Sequence, residues 1–272
     1  MSIFRFKQFD VVNERSAMKV NTDGVLLGAV MTIDPSDRRL LDIGTGTGTI
    51  ALMAAQRMAE GFPVEPGMTG IMPEMTGGRQ GMTVMERDSV QGGFRVEAID
   101  IDEPSAAEAA TNFRNSPWGQ HMSVTQASLE EYAADLAEEV RYDLIFSNPP
   151  YFDDSLEAPQ ERRNNARHTG SGLSYRELLE FSAKRLTEEG RFAIVLPADQ
   201  ERALTRHARM CGLHLFRITR VRTVPRKAPS RIIAEFSRRR CETPQDIVLT
   251  IQDEGKYTQE YLSLTRDFYL FA

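Results

Sequence analysis

Asn148-Pro149-Pro150-Tyr151 is the stretch of this 272-residue chain whose residue types and spacing best suit chemistry. A planar exocyclic nitrogen is a poor nucleophile, because its lone pair is delocalised into the ring. It takes a methyl group from an in-line donor when acceptors hold its N–H bonds. The Asn148 side-chain oxygen is one acceptor, and the main-chain carbonyl of Pro149 is another. Proline fixes its own φ and steers the preceding residue into extended geometry, so both acceptors are set before a substrate arrives. Tyr151 adds an aromatic face on which a base can stack. The methylated product loses its proton easily to water, so no general base is required and rate comes mainly from positioning.

Asp42-Ile43-Gly44-Thr45-Gly46-Thr47-Gly48 is the second candidate, between an apolar strand and a helix. It lacks the Gly-x-Gly-x-x-Gly spacing of dinucleotide loops and the Gly-Lys-Ser/Thr ending of phosphate loops. An aspartate two residues before Gly-x-Gly-x-Gly resembles the S-adenosylmethionine (AdoMet) loop of Rossmann-like methyltransferases. The acid suits a cofactor with an ammonium group and no phosphate. Asp100, at the end of the next strand, is the candidate acceptor for the ribose hydroxyls, with Asp102 as its competitor.

Strands alternate with helices around these motifs. Strands are expected at Phe4–Val12, Arg39–Ile43, Arg95–Asp100, His121–Gln126, Tyr142–Phe146 and Phe192–Leu196. Helices are expected at Asp23–Met31 (capped by Thr22 or Asp23), Thr49–Met58, Pro104–Asn115, Leu129–Glu138, Tyr175–Leu186 and Gln200–Met210. Leu213–Val221 and Arg231–Phe236 read as a final antiparallel pair. The expected fold is α/β, a doubly wound Rossmann-like sheet, mainly parallel, with ligands beyond the carboxyl ends of the strands. One methyltransferase domain over residues 1–272 accounts for the pattern. It is interrupted at about 61–94 by a Gly-, Pro- and Met-rich stretch without periodicity, read as a flexible surface insertion.

Composition narrows the class. Hydrophobic residues make up 41% and charged residues 26%, as in ordinary globular proteins. Two cysteines, Cys211 and Cys241, exclude a disulfide framework and suit a reducing cytoplasm. No apolar run approaches the ~20 residues of a membrane span, and the four histidines lack metal-ligand spacing. No metal and no membrane partner are expected. The net charge is −6, yet residues 202–240 hold eleven arginines and Lys227 against one acid, Glu235. A basic segment in an acidic chain suits local phosphate binding. Arg217, Arg220, Arg222, Arg226, Lys227 and Arg231 are the candidates there. Arg162, Arg163, Arg167 and His168 follow the tetrapeptide closely enough to grip adjacent phosphates.

The two motifs together resemble the amino-methyltransferase branch of the AdoMet superfamily. Phe6-Lys7-Gln8-Phe9, Met18-Lys19-Val20, Thr22 to Ala29, Asn115-Ser116-Pro117-Trp118 and Phe268-Tyr269-Leu270-Phe271 narrow this to a resemblance to the tRNA(Val) adenine-37 N6-methyltransferase family. The resemblance implies methyl transfer to N6 of the adenine beside the anticodon, with the anticodon stem-loop as partner. It implies that Asp42, Gly44, Gly46 and Asp100 hold AdoMet, that Lys19 and Thr22 lie near it, and that Asn148 and Tyr151 engage the adenine. Family members often carry an acid after the third strand; Ser128 stands here, and its hydroxyl or the Leu129 amide is the expected substitute. Alternative readings keep the tetrapeptide and change the acceptor, to a release-factor glutamine N5 or a DNA adenine, or keep the fold as a noncatalytic tRNA-binding module. The glutamine enzymes carry a helical domain before the glycine loop, where 41 residues precede Asp42 here.

Overall fold

The computed structural model describes residues 2–61, 93–150 and 173–271. A short antiparallel hairpin, β1 (Ile3–Arg5) and β2 (Asp10–Val12), precedes an eight-stranded sheet. The sheet strands are β3 (Arg39–Ile43), β4 (Arg95–Asp100), β5 (Met122–Gln126), β6 (Tyr142–Ser147), β7 (Leu186–Pro197), β8 (His214–Arg222), β9 (Arg231–Ser237) and β10 (Gln245–Thr250). They lie in the order β10-β8-β9-β7-β6-β3-β4-β5. Only β9 runs against the rest, pairing antiparallel with both β7 and β8. The order reverses between β3 and β6, which makes the crevice at their carboxyl ends the natural ligand site of such a sheet.

The sheet is buried on both faces, as a parallel sheet must be. Successive side chains point to opposite faces, so Leu40 and Leu41 of β3 join different apolar clusters. One cluster takes α1 (Thr22–Val30), α2 (Thr49–Glu60) and α3 (Glu103–Asn115). The other takes α4 (Leu129–Asp135), α5 (Tyr175–Arg185) and α6 (Glu201–Met210). The chain closes with the hairpin β11 (Gln252–Asp253)–β12 (Lys256–Tyr257) and α7 (Gln259–Thr265).

Several boundaries differ from the sequence reading. Phe4–Val12 is a hairpin rather than one strand. The cap of α1 is Asn21, whose Oδ1 accepts the Gly24 N–H at 2.8 Å. β7 begins at Leu186 and runs through Gly190, where a Cβ would stand 2.8 Å from the Tyr142 carbonyl oxygen. The absence of a side chain at Gly190 thus lets β7 and β6 approach. The β8–β9 pair is antiparallel as expected, but it is not final: β10 follows and pairs parallel to β8.

Arg217 is a correction. It is 3% exposed, and its Nη1 donates to the Val30 carbonyl at 3.1 Å and lies 3.4 Å from Glu235 Oε1. Arg57 donates to the carbonyls of Gly28 and Met31 at 2.9 and 2.8 Å. α1 is buried from Gly24 to Val30, so its last carbonyls have no water to accept from. Two buried arginines cap that end and complement its dipole, while Glu235 compensates them and accepts the Thr32 N–H at 2.7 Å. Burial lowers the Arg57 pKa to about 10. Glu235→Ala leaves buried cations uncompensated. Denaturant unfolding is expected to show a loss of about 3–5 kcal/mol with an unchanged slope; a wild-type midpoint would contradict this account.

Candidate active site

The glycine loop and the tetrapeptide meet at the switch point. Ser147 Oγ donates to the Ile43 carbonyl at 2.7 Å, clamping the end of β6 to the end of β3. Gly44, Gly46 and Gly48 all have positive φ, which L side chains rarely adopt. A Cβ at Gly48 would also lie 2.5 Å from Phe113 Cε1, so α2 and α3 pack closely only because that position is bare.

The loop amides are already committed. Gly44 and Thr45 donate to the Ile99 carbonyl at 2.9 and 3.0 Å, and Gly46 donates to Asp100 Oδ2 at 2.7 Å. Those three N–H groups are therefore not on offer to a ligand. The carboxylates gather instead. Asp100 is half-buried and also accepts the Asp102 N–H at 2.9 Å. Burial raises its pKa above the ordinary carboxylate value. Asp42 is fully buried; burial pushes its carboxyl up to about 7, with Thr45 Oγ1 donating to Oδ2 at 2.7 Å. Its Oδ1 has no hydrogen-bond partner among the described residues. Sealed in this way, Asp42 shapes the loop from beneath. Acidic side chains gathered behind a glycine loop fit a cationic, diol-bearing cofactor better than an anionic phosphate.

Asn148 is 5% exposed, and its Nδ2 lies 3.5 Å from Met18 Sδ. The Met18 carbonyl oxygen would in turn be 3.5 Å from a Cβ on Gly46. One residue of the N-terminal segment therefore touches both the glycine loop and the tetrapeptide. That segment is held down by α3: Glu108 accepts the Glu14 and Arg15 N–H groups at 3.0 and 2.6 Å. Met18 and Glu108 escaped the sequence reading as site residues. The motif around Met18 was visible, but its partners lie far along the chain.

The remaining expectations fall as follows. Lys19 Nζ donates to the Glu14 carbonyl at 2.6 Å, and Thr22 is exposed in the first turn of α1. Asp102 caps α3, accepting the Ser105 N–H at 3.0 Å and Ser105 Oγ at 2.7 Å, so its carboxylate is occupied. Ser128 caps α4 in a reciprocal box with Glu131, which takes its hydroxyl at 2.8 Å. The first-turn N–H of Leu129 has no intrahelical acceptor, as at any helix start. Pro149 is buried beside Asn148. Tyr151, Arg162, Arg163, Arg167 and His168 lie outside the described residues, as does most of the 61–94 stretch.

The basic segment divides. Arg220 is bound by Glu201 and by Asp246, at 2.8 Å from the latter, and these carboxylates hold it firmly protonated. Arg222 donates to Thr250 Oγ1 and the Pro225 carbonyl at 2.8 and 3.0 Å. Arg226 and Lys227, in the β8–β9 turn, are exposed, with no side-chain partner among the described residues. Arg202, Arg206 and Arg209 form an exposed stripe on α6, likewise without an ion pair among the described residues. No group of three metal-ligating side chains occurs among the described residues, and no helix there is long and apolar enough to cross a membrane.

The sheet order, with a crevice at its switch point, is that of the Rossmann-like doubly wound class. Residues 31–224 match the RMKL-like methyltransferase domain. A predicted O-methyltransferase from Agrobacterium tumefaciens shares this fold, with a TM-score of 0.58 at 15% identity over 90% of this chain and 96% of that one. Among curated proteins, the tRNA1(Val) (adenine(37)-N6)-methyltransferase of Parabacteroides distasonis is 40% identical over 98% of this chain and 97% of its own length. Its namesake from Flavobacterium psychrophilum is 34% identical over 98% and 99%. The chain belongs to the tRNA1(Val) (adenine(37)-N6)-methyltransferase family.

Proposed function

We infer that this enzyme transfers the methyl group of AdoMet to N6 of adenine 37 of tRNA1(Val). The observation that supports this reading is Met18, whose Sδ lies 3.5 Å from Asn148 Nδ2 and whose carbonyl oxygen is 3.5 Å from where a Cβ on Gly46 would stand, so the glycine loop and the tetrapeptide flank one residue. AdoMet supplies a methyl group made electrophilic by its sulfonium. Asp100, at the end of β4, accepts the ribose hydroxyls, and Gly44 and Gly46 let the cofactor approach the backbone. Asp42 contributes negative potential from behind the loop. Leu129 N–H, rather than the committed hydroxyl of Ser128, serves the cofactor adenine. Lys19 and Thr22 line the entrance.

Asn148 Oδ1 and the Pro149 carbonyl hold the substrate N–H bonds so that the nitrogen lone pair faces the methyl carbon. With AdoMet bound, such positioning would let the N–C bond form as the C–S bond breaks, and the nitrogen would give up its extra proton to water. Tyr151 stacks on the adenine, which is extruded from its loop for a few kcal/mol. Incubation with labelled AdoMet and, separately, total tRNA, release factor and duplex DNA tests this. Label in tRNA at adenine N6 is expected; label in either other acceptor overturns the reading.

The proposed path of the RNA backbone follows exposed cations without ion pairs among the described residues. Pro197 pairs with Arg231, so α6 starts at the ligand edge of the sheet, and the β8–β9 turn lies on the same edge. Arg202, Arg226 and Lys227 grip phosphates at that edge, and Arg206 and Arg209 continue the basic stripe along α6; Arg162, Arg163 and Arg167, which follow the tetrapeptide in the chain, are proposed for the same partner. Arg220 and Arg222 shape this surface more than they bind. Affinity for tRNA is expected to fall with salt by about 0.7–0.9 in log K per log unit for each phosphate neutralised. Replacing both Arg202 and Arg206 by Ala lowers that slope by about one to two and leaves AdoMet affinity alone. A slope unaltered by the double substitution would remove α6 from the footprint.

A further inference from the structure

A second cavity opens on the same sheet edge. It has a volume of about 350 Å³, and its walls include Thr22, Asp23, Arg231, Gln252, Tyr257 and Tyr261. We propose that this cavity is a second base subsite, which receives the nucleobase next to the target adenine in the anticodon loop; the proposal rests on the tRNA reading above. Its position comes from α1. Thr22 and Asp23 form one wall, and a Cβ on the next residue, Gly24, would lie 3.6 Å from Asn148 Nδ2. The cavity wall and the residue that approaches Asn148 are thus consecutive on α1, and RNA sequence is read mainly from neighbouring unstacked loop bases.

Its chemistry matches a base. Arg231 Nε donates to Asp23 Oδ2 at 2.9 Å, so a guanidinium and a carboxylate stand side by side at the wall. Gln252, half-buried, carries an amide without a hydrogen-bond partner among the described residues, able both to donate and to accept. Tyr257 is 41% exposed and stacks on Tyr261 and Phe271, with ring centroids at 4.9 and 5.4 Å. A rigid aromatic rim beside paired donors and acceptors is how proteins hold unstacked RNA bases. Thr223 and Ser230, at the two ends of the β8–β9 turn, also line the cavity, and that turn carries the exposed Arg226 and Lys227. The volume excludes a stem, yet is ample for one base with its sugar.

The test uses full-length enzyme and an anticodon stem-loop RNA in which the base on either side of the target adenine is replaced, one at a time, by an abasic site. With wild-type enzyme, one of the two abasic RNAs is expected to lose about tenfold in kcat/KM. Tyr257→Ala and Gln252→Ala each lose a similar factor on intact RNA but little more on that abasic RNA, and AdoMet affinity is unchanged. Tyr257→Phe keeps the stacking face and stays near wild type. Should both abasic RNAs react within twofold of intact RNA, or should the variants lose the same factor on intact and abasic RNA, the subsite is overturned. Failure of wild-type enzyme to methylate the intact stem-loop is a separate result and overturns the substrate reading instead.

Discussion

Asn148→Ala lowers kcat by about two to three orders of magnitude, while the AdoMet Kd stays within twofold. Preorganised polar groups aimed at the reacting centre are each worth about 10²–10³ in rate when removed, and in the proposed mechanism Asn148 is one of the two acceptors on the amine. Its position is fixed twice over: Pro149 restrains its backbone, and its Nδ2 faces Met18 Sδ at 3.5 Å, which turns the oxygen away from the thioether. The side chain is 5% exposed, so the truncation also removes packing. Single-turnover transfer of labelled methyl to tRNA separates the effects, because it reads the chemical step on enzyme that has already bound both substrates. Asn148→Asp keeps two acceptor oxygens and is expected to retain more activity than Ala. If AdoMet affinity falls by the same factor as kcat, Asn148 is a support of the cofactor cleft and the amine-holding role is wrong.

What could be read from the sequence follows the range of the forces involved. The glycine loop and tetrapeptide are local: three glycines and two prolines dictate backbone geometry within a few residues. Their strands are short apolar runs bounded by those same residues. Met18 could not be assigned, because its significance is a contact made 130 residues away, with Asn148. Burial was equally hidden in the basic segment. Arg217 and Arg226 look alike in the chain, yet one caps a buried helix and the other faces water, and charge alone does not distinguish them. β10 was missed because Gln245-Asp246 and a half-exposed edge blur the apolar run of a strand. The closing Phe268-Tyr269 was noticed as a motif. Its physical role emerges only in three dimensions, where Tyr269 stacks on Phe6 with centroids at 5.9 Å and ties the two ends of the chain together.

Asp100→Ala has the opposite signature: AdoMet affinity falls about 30- to 1000-fold, and kcat at saturating AdoMet changes far less. A charge-assisted contact to a diol contributes roughly 2–4 kcal/mol when both hydroxyls are held. The same carboxylate accepts the Gly46 N–H at 2.7 Å, so its loss also loosens the glycine loop. Asp102→Ala is the control. Its carboxylate is taken up in capping α3, so this change costs about 1 kcal/mol of stability and leaves cofactor affinity nearly intact. Asp100→Asn separates charge from shape, since it keeps an acceptor for Gly46 N–H and removes only the anion. Calorimetric titration of AdoMet into the three variants decides the matter. Equal losses for Asp100→Ala and Asp102→Ala would mean that the diol is shared, and a loss for Asp102→Ala alone would move the ribose site one turn along, to the start of α3.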